Sequence, residues 1–566
     1  MSLLKSTLLA SAAGFAAVAG AQAADLPVKK AAPIEYVRVC TAYGAGFFYI
    51  PGTDTCIRLS GRARLEAGYQ TPYSRQSGNG GDTTGYGTRL RINVDARTQT
   101  GYGTLRAFLR LETGSRTGGA YAGGTSGTQQ RIGQAFPGLG VDQFGRAQQY
   151  VNTDKAFVQF AGFTAGRASS FFDFYAHDFE MGGATAGSDL ASTNLLAYTA
   201  TLGNGFSATI SAEDPTFRRS PIFSPTVNAA GVTVNGAVAN FGLTVSPVPV
   251  VIGVNAAGFP TRFSNIDAIE RNRMPDFVGA LRYDAAWGSA QISAAVHEIN
   301  VGNVANGNGS GTFATVGGVT AATAATGSNV SIPHTSSEYG YAVQGGLKIN
   351  MPFIAPGDTL YLQGAYGVGA QLYTGYSSYS GSYAQSAATI QGQKFSQYFS
   401  DATINPFTGQ LSLSESFTVS GAYLHYWAPE WRSAFFGSYG EQSFSAGARA
   451  GQGDAFSLVN GSTNTFGSNA VGAPGTRFYN LSQALRDTYQ FVGGASIIWS
   501  PVKDLDIGVE GFYTQIGVKN GRVIDNDKDP TAYSAARIAA INAGGFVRTA
   551  TSDGVSQVRI RVQRDF

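Results

Sequence analysis

Arginine occupies alternate positions through three stretches near the start of this chain. Arg58, Arg62, Arg64 and Glu66 alternate with Leu59, Gly61, Ala63 and Leu65; Arg89, Arg91, Asp95 and Arg97 alternate with Leu90, Ile92, Val94 and Ala96; Arg106, Arg110 and Glu112 alternate with Leu105, Ala107, Leu109 and Leu111. A guanidinium is permanently charged and donates in a fixed fork, so a surface rich in them attracts anions and polar solutes. A segment of the opposite sign follows, Gly166–Gly183, which carries Asp173, Asp178 and Glu180, with Asp189 a little later. It also carries Phe171, Phe172, Phe174, Tyr175 and Phe179. If that segment packs its rings against a wall and turns its carboxylates toward the arginines, the two signs face each other across a narrow aqueous gap. The resulting transverse field orients dipolar solutes and penalises apolar ones. The competing expectation is an ordinary external loop with solvated carboxylates. On the first reading the basic side is Arg62, Arg64, Arg89, Arg91 and Arg106, and the acidic side is Asp173, Asp178 and Glu180.

Covalent chemistry has little to work with. His177, His297, His334 and His425 are the only histidines, and none neighbours a nucleophile signature such as a G-x-S-x-G elbow. The chain is therefore expected not to be an enzyme. Two cysteines and four scattered histidines fit no metal-ligand spacing, and Gly364–Gly369 lacks the following helix that a phosphate cradle needs; no cofactor and no metal are expected. Cys40 and Cys56 flank a Gly- and Tyr-rich turn. In an oxidising compartment a disulfide is expected rather than two free thiols, and closing a loop of this length contributes about 3 kcal/mol when unstrained.

Period-2 alternation demands β-strands with one apolar and one wet face. The pattern returns at the end of the chain, where Val558, Ile560 and Val562 alternate with Gln557, Arg559, Arg561 and Gln563 before Phe566. An apolar outside, a charged inside and a terminal aromatic suit the closing strand of an outer-membrane barrel. Composition agrees: 75 Gly, 36 Phe and 28 Tyr in 566 residues, with 13% charged residues and a net charge of +3, a profile unlike that of a helical enzyme. No basic run suggests nucleic acid as a partner. Short turns are predicted near Thr98–Gly103, Gly162–Thr164, Gly203–Gly205, Asp284–Ser289, Met351–Gly357, Ala428–Glu430 and Ser500–Asp504. Between them run long Gly/Ser/Thr/Asn-rich stretches near 70–84, 115–152, 168–194, 214–276, 300–338, 371–414, 443–487 and 517–553. The fold class expected is all-β, an antiparallel transmembrane barrel of sixteen strands, with eighteen left open by uncertain boundaries, and with short turns on one side and long loops outside. Trp287, Trp427, Trp431 and Trp499 all fall beside predicted short turns, as a girdle at a membrane interface requires. Lys5, the apolar run Leu8–Ala19 and Ala21-Gln22-Ala23 read as a signal peptide over residues 1–23. A short periplasmic segment over 24–56 and the barrel over 57–566 are expected to follow.

The run Val37–Cys56 followed by Ile57-Arg-Leu-Ser-Gly61 closely resembles the start of the mature alphaproteobacterial porins known as porin subfamily 2. Phe160–Arg167 with Ser170–Tyr175, Arg273–Gly279 with Ala286–Gln291, His425–Pro429 and Pro501–Glu510 extend the resemblance along nearly the whole chain. It implies a trimeric outer-membrane pore for passive diffusion of small hydrophilic solutes and ions, embedded in outer-membrane lipid. It also implies that the loop after Arg167 folds into the pore. The same resemblance suggests Arg62, Arg89, Lys155 and Arg167 as basic constriction residues, Asp178 and Glu180 as acidic ones, and Phe566 as the signal read by the barrel-assembly machinery. The loops 214–276, 371–414 and 443–487 are long for a general porin, which leaves a solute-selective pore, for example for sugars, or a loop-mediated adhesin as the alternative.

Overall fold

The computed structural model describes residues 38–70, 84–118, 148–174, 188, 192–220, 222–223, 233–234, 237–238, 247–254, 260–267, 270–301, 311–316, 319–324, 337–376, 386–387, 394, 397–459 and 470–566. The signal peptide expected over 1–23 lies outside them. The chain divides into two units, Met1–Ile57 and Arg58–Phe566.

In the first unit, Cys40 and Cys56 are joined in a disulfide. Backbone hydrogen bonds brace the bridge. Cys40 N donates to Phe47 O at 2.9 Å and Tyr49 N to Arg38 O at 2.8 Å, and Phe48–Tyr49 pairs with Cys56–Ile57. Phe47 is buried against both half-cystines, with Tyr43 and Tyr49 alongside.

The second unit is a closed antiparallel barrel of sixteen strands. In chain order they are β1 (Cys56–Gln70), β2 (Thr84–Thr100), β3 (Gly103–Gly118), β4 (Gln148–Phe160), β5 (Phe163–Ala168), β6 (Thr193–Gly203), β7 (Phe206–Glu213), β8 (Asp276–Ala285), β9 (Gly288–Ile299), β10 (Glu338–Asn350), β11 (Thr359–Val368), β12 (Glu415–Ala428), β13 (Trp431–Ser443), β14 (Thr488–Val502), β15 (Leu505–Val518) and β16 (Ser552–Asp565). Each pairs with its neighbours in sequence, and β16 returns to β1 with Arg62 opposite Asp565 and Glu66 opposite Arg561. The seam is finished by Phe566. Its backbone exchanges hydrogen bonds with Gly61 at 2.8 and 3.0 Å, and its ring covers Gly61, where a Cβ would stand 2.3 Å from the ring. Closure leaves no sheet edge unpaired, the one condition under which strands cross lipid.

Alternation puts the two faces where the sequence demands. Leu59, Leu65, Ile92, Leu105, Leu111, Leu196, Ile210, Ile292, Val419, Ile497 and Ile560 stand exposed on the outside, whereas Glu66, Arg89, Glu112, Gln291, Gln344 and Arg561 are buried toward the lumen. A soluble protein would leave this girdle of apolar surface in water, a cost of about 25 cal/mol per Å²; in a bilayer it is solvated by acyl chains. No helix among the described residues is long and apolar enough to cross a membrane. Trp287, Trp427, Trp431 and Trp499 are all exposed at the short-turn end, and Trp431 stacks on Trp499 with ring centroids 5.8 Å apart.

A latch at that end makes a first prediction. The turn before β11 ends in Asp358, which is buried. Tyr423 Oη donates to its Oδ2 at 2.7 Å, His425 Nδ1 lies 2.7 Å from the same oxygen, and Tyr426 N donates to Oδ1 at 2.8 Å. Burial alone pushes this carboxyl upward, but the hydrogen bonds, Tyr423's first, outweigh it and hold Asp358 below the usual aspartate range. A depressed carboxyl contributes stability above its unfolded pKa and loses it as pH falls through the folded value. Asp358→Asn is therefore expected to lower the barrel's unfolding free energy by about 1–3 kcal/mol at pH 7. That deficit should shrink below roughly pH 4. Urea unfolding in detergent, followed by tryptophan fluorescence at both pH values, measures it; a pH-independent deficit contradicts the assignment.

Candidate functional site: a charged wall and two inward-folded loops

The first three strands and β16 build the charged wall. Arg62 Nε donates to Asp565 Oδ1 at 2.6 Å and Arg64 Nε to Gln563 Oε1 at 2.8 Å. Glu66 sits between Arg561 at 2.5 Å and Arg64 at 3.7 Å. One step round the barrel, Glu112 takes Arg91 at 3.0 Å and Arg89 at 3.4 Å. Lower down, Asp95 takes Arg97 at 2.8 Å and Arg106 at 2.9 Å, and Arg110 reaches Asn93 Oδ1 at 2.9 Å and Asp154 at 3.4 Å. The arginines are not simply solvated: much of their charge is met by acids on the same face. The physical reason is register. In an antiparallel barrel, inward residues of neighbouring strands stand side by side, so Glu112 falls opposite Arg91 and Asp565 opposite Arg62. Arginines still outnumber acids on this face, so the wall keeps a positive sign.

The segment after β5 crosses to the far side of the lumen. Ser293 Oγ and Gln344 Nε2 donate to Phe172 O at 2.6 and 2.7 Å, and Gln291 Nε2 reaches Phe171 O at 3.2 Å. Those donors are the inward residues of β9 and β10, whose outward neighbours Ile292 and Val343 are exposed. Phe172 is fully buried among Val278, Ala295, Ala342, Ala370 and Tyr373, with its ring edge-on to Tyr373 at 4.9 Å. Gly346 on β10 leaves the space that the Phe174 ring fills; a Cβ there would stand 2.2 Å from that ring. Aromatic content thus marks an inward loop, because only inside the barrel do those rings gain apolar cover.

Asp173 departs from its expected role. Arg218, fully buried, donates to Asp173 Oδ1 at 2.6 Å, to Ser188 Oγ at 2.6 Å and to Leu372 O at 3.2 Å. Ser188 Oγ also bonds Asp173. Burial opposes the charge on Arg218, yet Asp173 and then Tyr373 outweigh it and hold the guanidinium above its ordinary range. Asp173 is thus a structural anchor, its charge taken up by Arg218, and not an acid presented to the channel. Sequence reading missed Arg218, whose partner lies 45 positions away with no periodicity to connect them.

A second loop folds inward after β11. Its helical turn α1 (Gln371–Thr374) is entirely buried. Tyr373 Oη donates to Asp276 Oδ2 at 2.5 Å, Tyr376 Oη lies 2.8 Å from Thr488 Oγ1, and Gln442 donates to Ser400 O at 3.3 Å. Further along, Lys394 N donates to Asp553 Oδ2 at 2.9 Å. The described residues of this loop thus touch β8, β12, β13, β14 and β16. The remaining loops add α2 (Ala446–Val459), α3 (Arg477–Leu481) and α4 (Ala535–Asn542). Arg449 of α2 is buried, with its guanidinium 4.0 Å over the Tyr479 ring.

The family described as Porin subfamily matches residues 25–540. The chain belongs to the porin subfamily. Among curated proteins it is similar to Porin Omp2b of Brucella abortus (strain 2308), 32% identical over 293 residues, which covers 50% of this chain and 64% of that protein. It is also similar to Porin Omp2b of Brucella suis, 33% identical over 301 residues with the same coverage. The porin thus spans under two thirds of the length of the curated relatives it matches. Among solved structures it is similar to the outer membrane channel DcaP of Acinetobacter baumannii, 13% identical with a TM-score of 0.46, covering 92% of this chain and 99% of that one. An anion-selective porin from Comamonas acidovorans gives 10% and 0.38, covering 90% and 100%. This porin is a bacterial outer-membrane protein.

The structure gathers Arg62, Arg64, Arg89, Arg91 and Arg106 on one wall. Lys155 and Arg167, from β4 and β5, instead hold the root of the inward loop: Lys155 Nζ donates to Ser169 Oγ at 2.5 Å and Arg167 Nε to Ser192 Oγ at 2.8 Å. Asp178, Glu180 and Asp189, with His177 and His334, lie outside the described residues.

Proposed function

We propose that this porin is a passive, non-enzymatic diffusion pore of the outer membrane for small hydrophilic solutes and ions. The observation that carries the reading is the loop after β5, bonded through Phe172 O to the inward Ser293 and Gln344 of the far wall; in this reading it narrows a lumen whose near wall carries Arg62, Arg64, Arg89, Arg91 and Arg106. Solutes cross down their gradient and keep most of their hydration. Asp178 and Glu180 supply the acidic side of the constriction in this reading. A homotrimer, an N-terminal segment on the periplasmic side, an export signal over residues 1–23 and recognition of Phe566 by the barrel-assembly machinery belong to the same proposal, supported by family membership.

Liposome swelling with neutral sugars of rising size tests it. Rates falling steeply with solute size are expected. Swelling with one sugar and none of similar size would favour the solute-selective alternative, and no swelling with any solute contradicts a pore.

A further inference from the structure

Three side chains from distant stretches converge at the long-loop end of the barrel. Glu270 stands just ahead of β8, His297 faces inward near the end of β9, and Asp401 belongs to the loop between α1 and β12. Their ligating atoms all lie within 4.8 Å of one another, and all three residues are buried: Asp401 at 0%, His297 at 1% and Glu270 at 8% exposure. Each is held from behind. His297 Nδ1 lies 2.8 Å from Asp276 Oδ1, which fixes a proton on Nδ1 and leaves a lone pair on Nε2. Asp276 is itself fixed by Tyr373 at 2.5 Å. Asp401 takes one backbone N–H on each oxygen, from Gln371 and from Ser220, both at 2.6 Å.

Two of the three groups aimed into the centre present an unsatisfied atom. His297 Nε2 and Glu270 Oε1 are buried with no hydrogen-bond partner, although buried polar atoms are satisfied in the great majority of cases. Among the described residues neither Glu270 nor Asp401 has an arginine or lysine partner; the nearby Arg219 donates to the Glu270 backbone oxygen at 2.9 Å and to Asn272 at 3.0 Å. Two buried carboxyl groups and an imidazole nitrogen, backed by a carboxylate behind the histidine, form a donor set that a divalent cation would satisfy.

We propose that Glu270, His297 and Asp401 bind a divalent first-row transition metal, with zinc(II) the best match and water completing its coordination. One nitrogen and two carboxylate donors suit that class, whereas calcium and magnesium prefer all-oxygen shells of higher number. Bonds of about 2.0–2.2 Å allow ligand atoms at most about 4.3 Å apart, close to the spacing found here. The ion ties the approach to β8, the end of β9 and the β11–β12 loop together. Val301 and Ile299 beside His297, and Ala402 beside Asp401, belong to the apolar cluster of Ile222, Val250, Ile299, Val301, Ala402 and Ile404, so the ion would fasten that cluster to the barrel strands. Sequence spacing gave no hint of this, since the ligands are spread over 270–401 and only the barrel's register brings them together.

Untagged full-length porin, stripped with EDTA and dialysed, is titrated with zinc chloride by calorimetry and with cobalt(II) by visible absorption. The expected result is one ion per chain and a d–d spectrum of low coordination number. Glu270→Gln and His297→Gln are each expected to weaken binding at least tenfold, and Asp276→Asn, acting through the histidine, by about 10–100-fold. On the wild-type protein alone, X-ray absorption of the zinc-loaded porin is expected to show imidazole and oxygen scatterers; this arm stands even where a variant fails to fold. No zinc bound, a shell without imidazole, equal affinity in a Glu270→Gln/His297→Gln double variant, or displacement by equimolar calcium each overturns the proposal.

Discussion

Arg218→Met is expected to release the constriction. The substitution keeps most of the side-chain volume but removes Arg218's own donors to Asp173, Ser188 and Leu372 O, and takes from the largely buried Asp173 carboxylate its Arg218 cation. Breaking a buried pair by removing one partner costs about 3–5 kcal/mol. Here that cost falls on a loop held otherwise by hydrogen bonds to Glu213, Gln291, Ser293 and Gln344 and by the buried Phe172 ring. The barrel ladder does not depend on Arg218, so heat-modifiable mobility on SDS gels is expected to persist. Single-channel recordings are expected to show higher conductance and more open-state noise, and liposome swelling is expected to admit larger sugars. Adding Asp173→Asn to Arg218→Met removes the stranded charge, and replacing both partners is far cheaper than replacing one; the double variant should therefore return part of the way to wild type. Unchanged conductance and exclusion limit in the single variant show that this loop does not set the narrowing.

Replacing Arg64, Arg89 and Arg91 together by Gln is expected to move ion preference strongly toward cations. These arginines share Glu66 and Glu112, so neutralising them both removes positive charge and exposes acid that was compensated. A charge at roughly 8 Å from a passing ion contributes about 0.5–2 kcal/mol, depending on how much water intervenes. Three such charges shift the anion-to-cation permeability ratio by about tenfold or more in dilute salt, with each 1.4 kcal/mol worth a factor of ten. Screening shortens the reach to about 3 Å at 1 M, so the shift should shrink as salt rises. Reversal potentials across a KCl gradient at low and high ionic strength read both effects. An unchanged ratio at low salt means that permeant ions do not pass this wall.

The barrel was legible in the residues because its physics is local and repeated. Alternation through Arg58–Glu66, Arg89–Arg97 and Gln557–Gln563 fixed both the strand state and the face, and all seven predicted short turns fall between β2 and β3, β4 and β5, β6 and β7, β8 and β9, β10 and β11, β12 and β13, and β14 and β15. The inward loop was legible more weakly, through Phe171, Phe172 and Phe174, whose rings have no use for water. What composition could not show was pairing across the lumen. Alternation already put Glu66, Asp95 and Glu112 on the arginines' face; strand register showed which arginine each of them meets. Asp173 read as a channel acid because its partner, Arg218, is reached only once the loops fold back. The Glu270–His297–Asp401 cluster escaped for the same reason: no period or motif links residues that meet only through tertiary closure.

The most direct test of the account is the current through a planar bilayer that holds the purified porin. An apolar exterior wrapped round a charged interior predicts discrete steps that are ohmic near zero voltage and scale with salt concentration. A bilayer that stays electrically tight with correctly folded barrel inserted contradicts it.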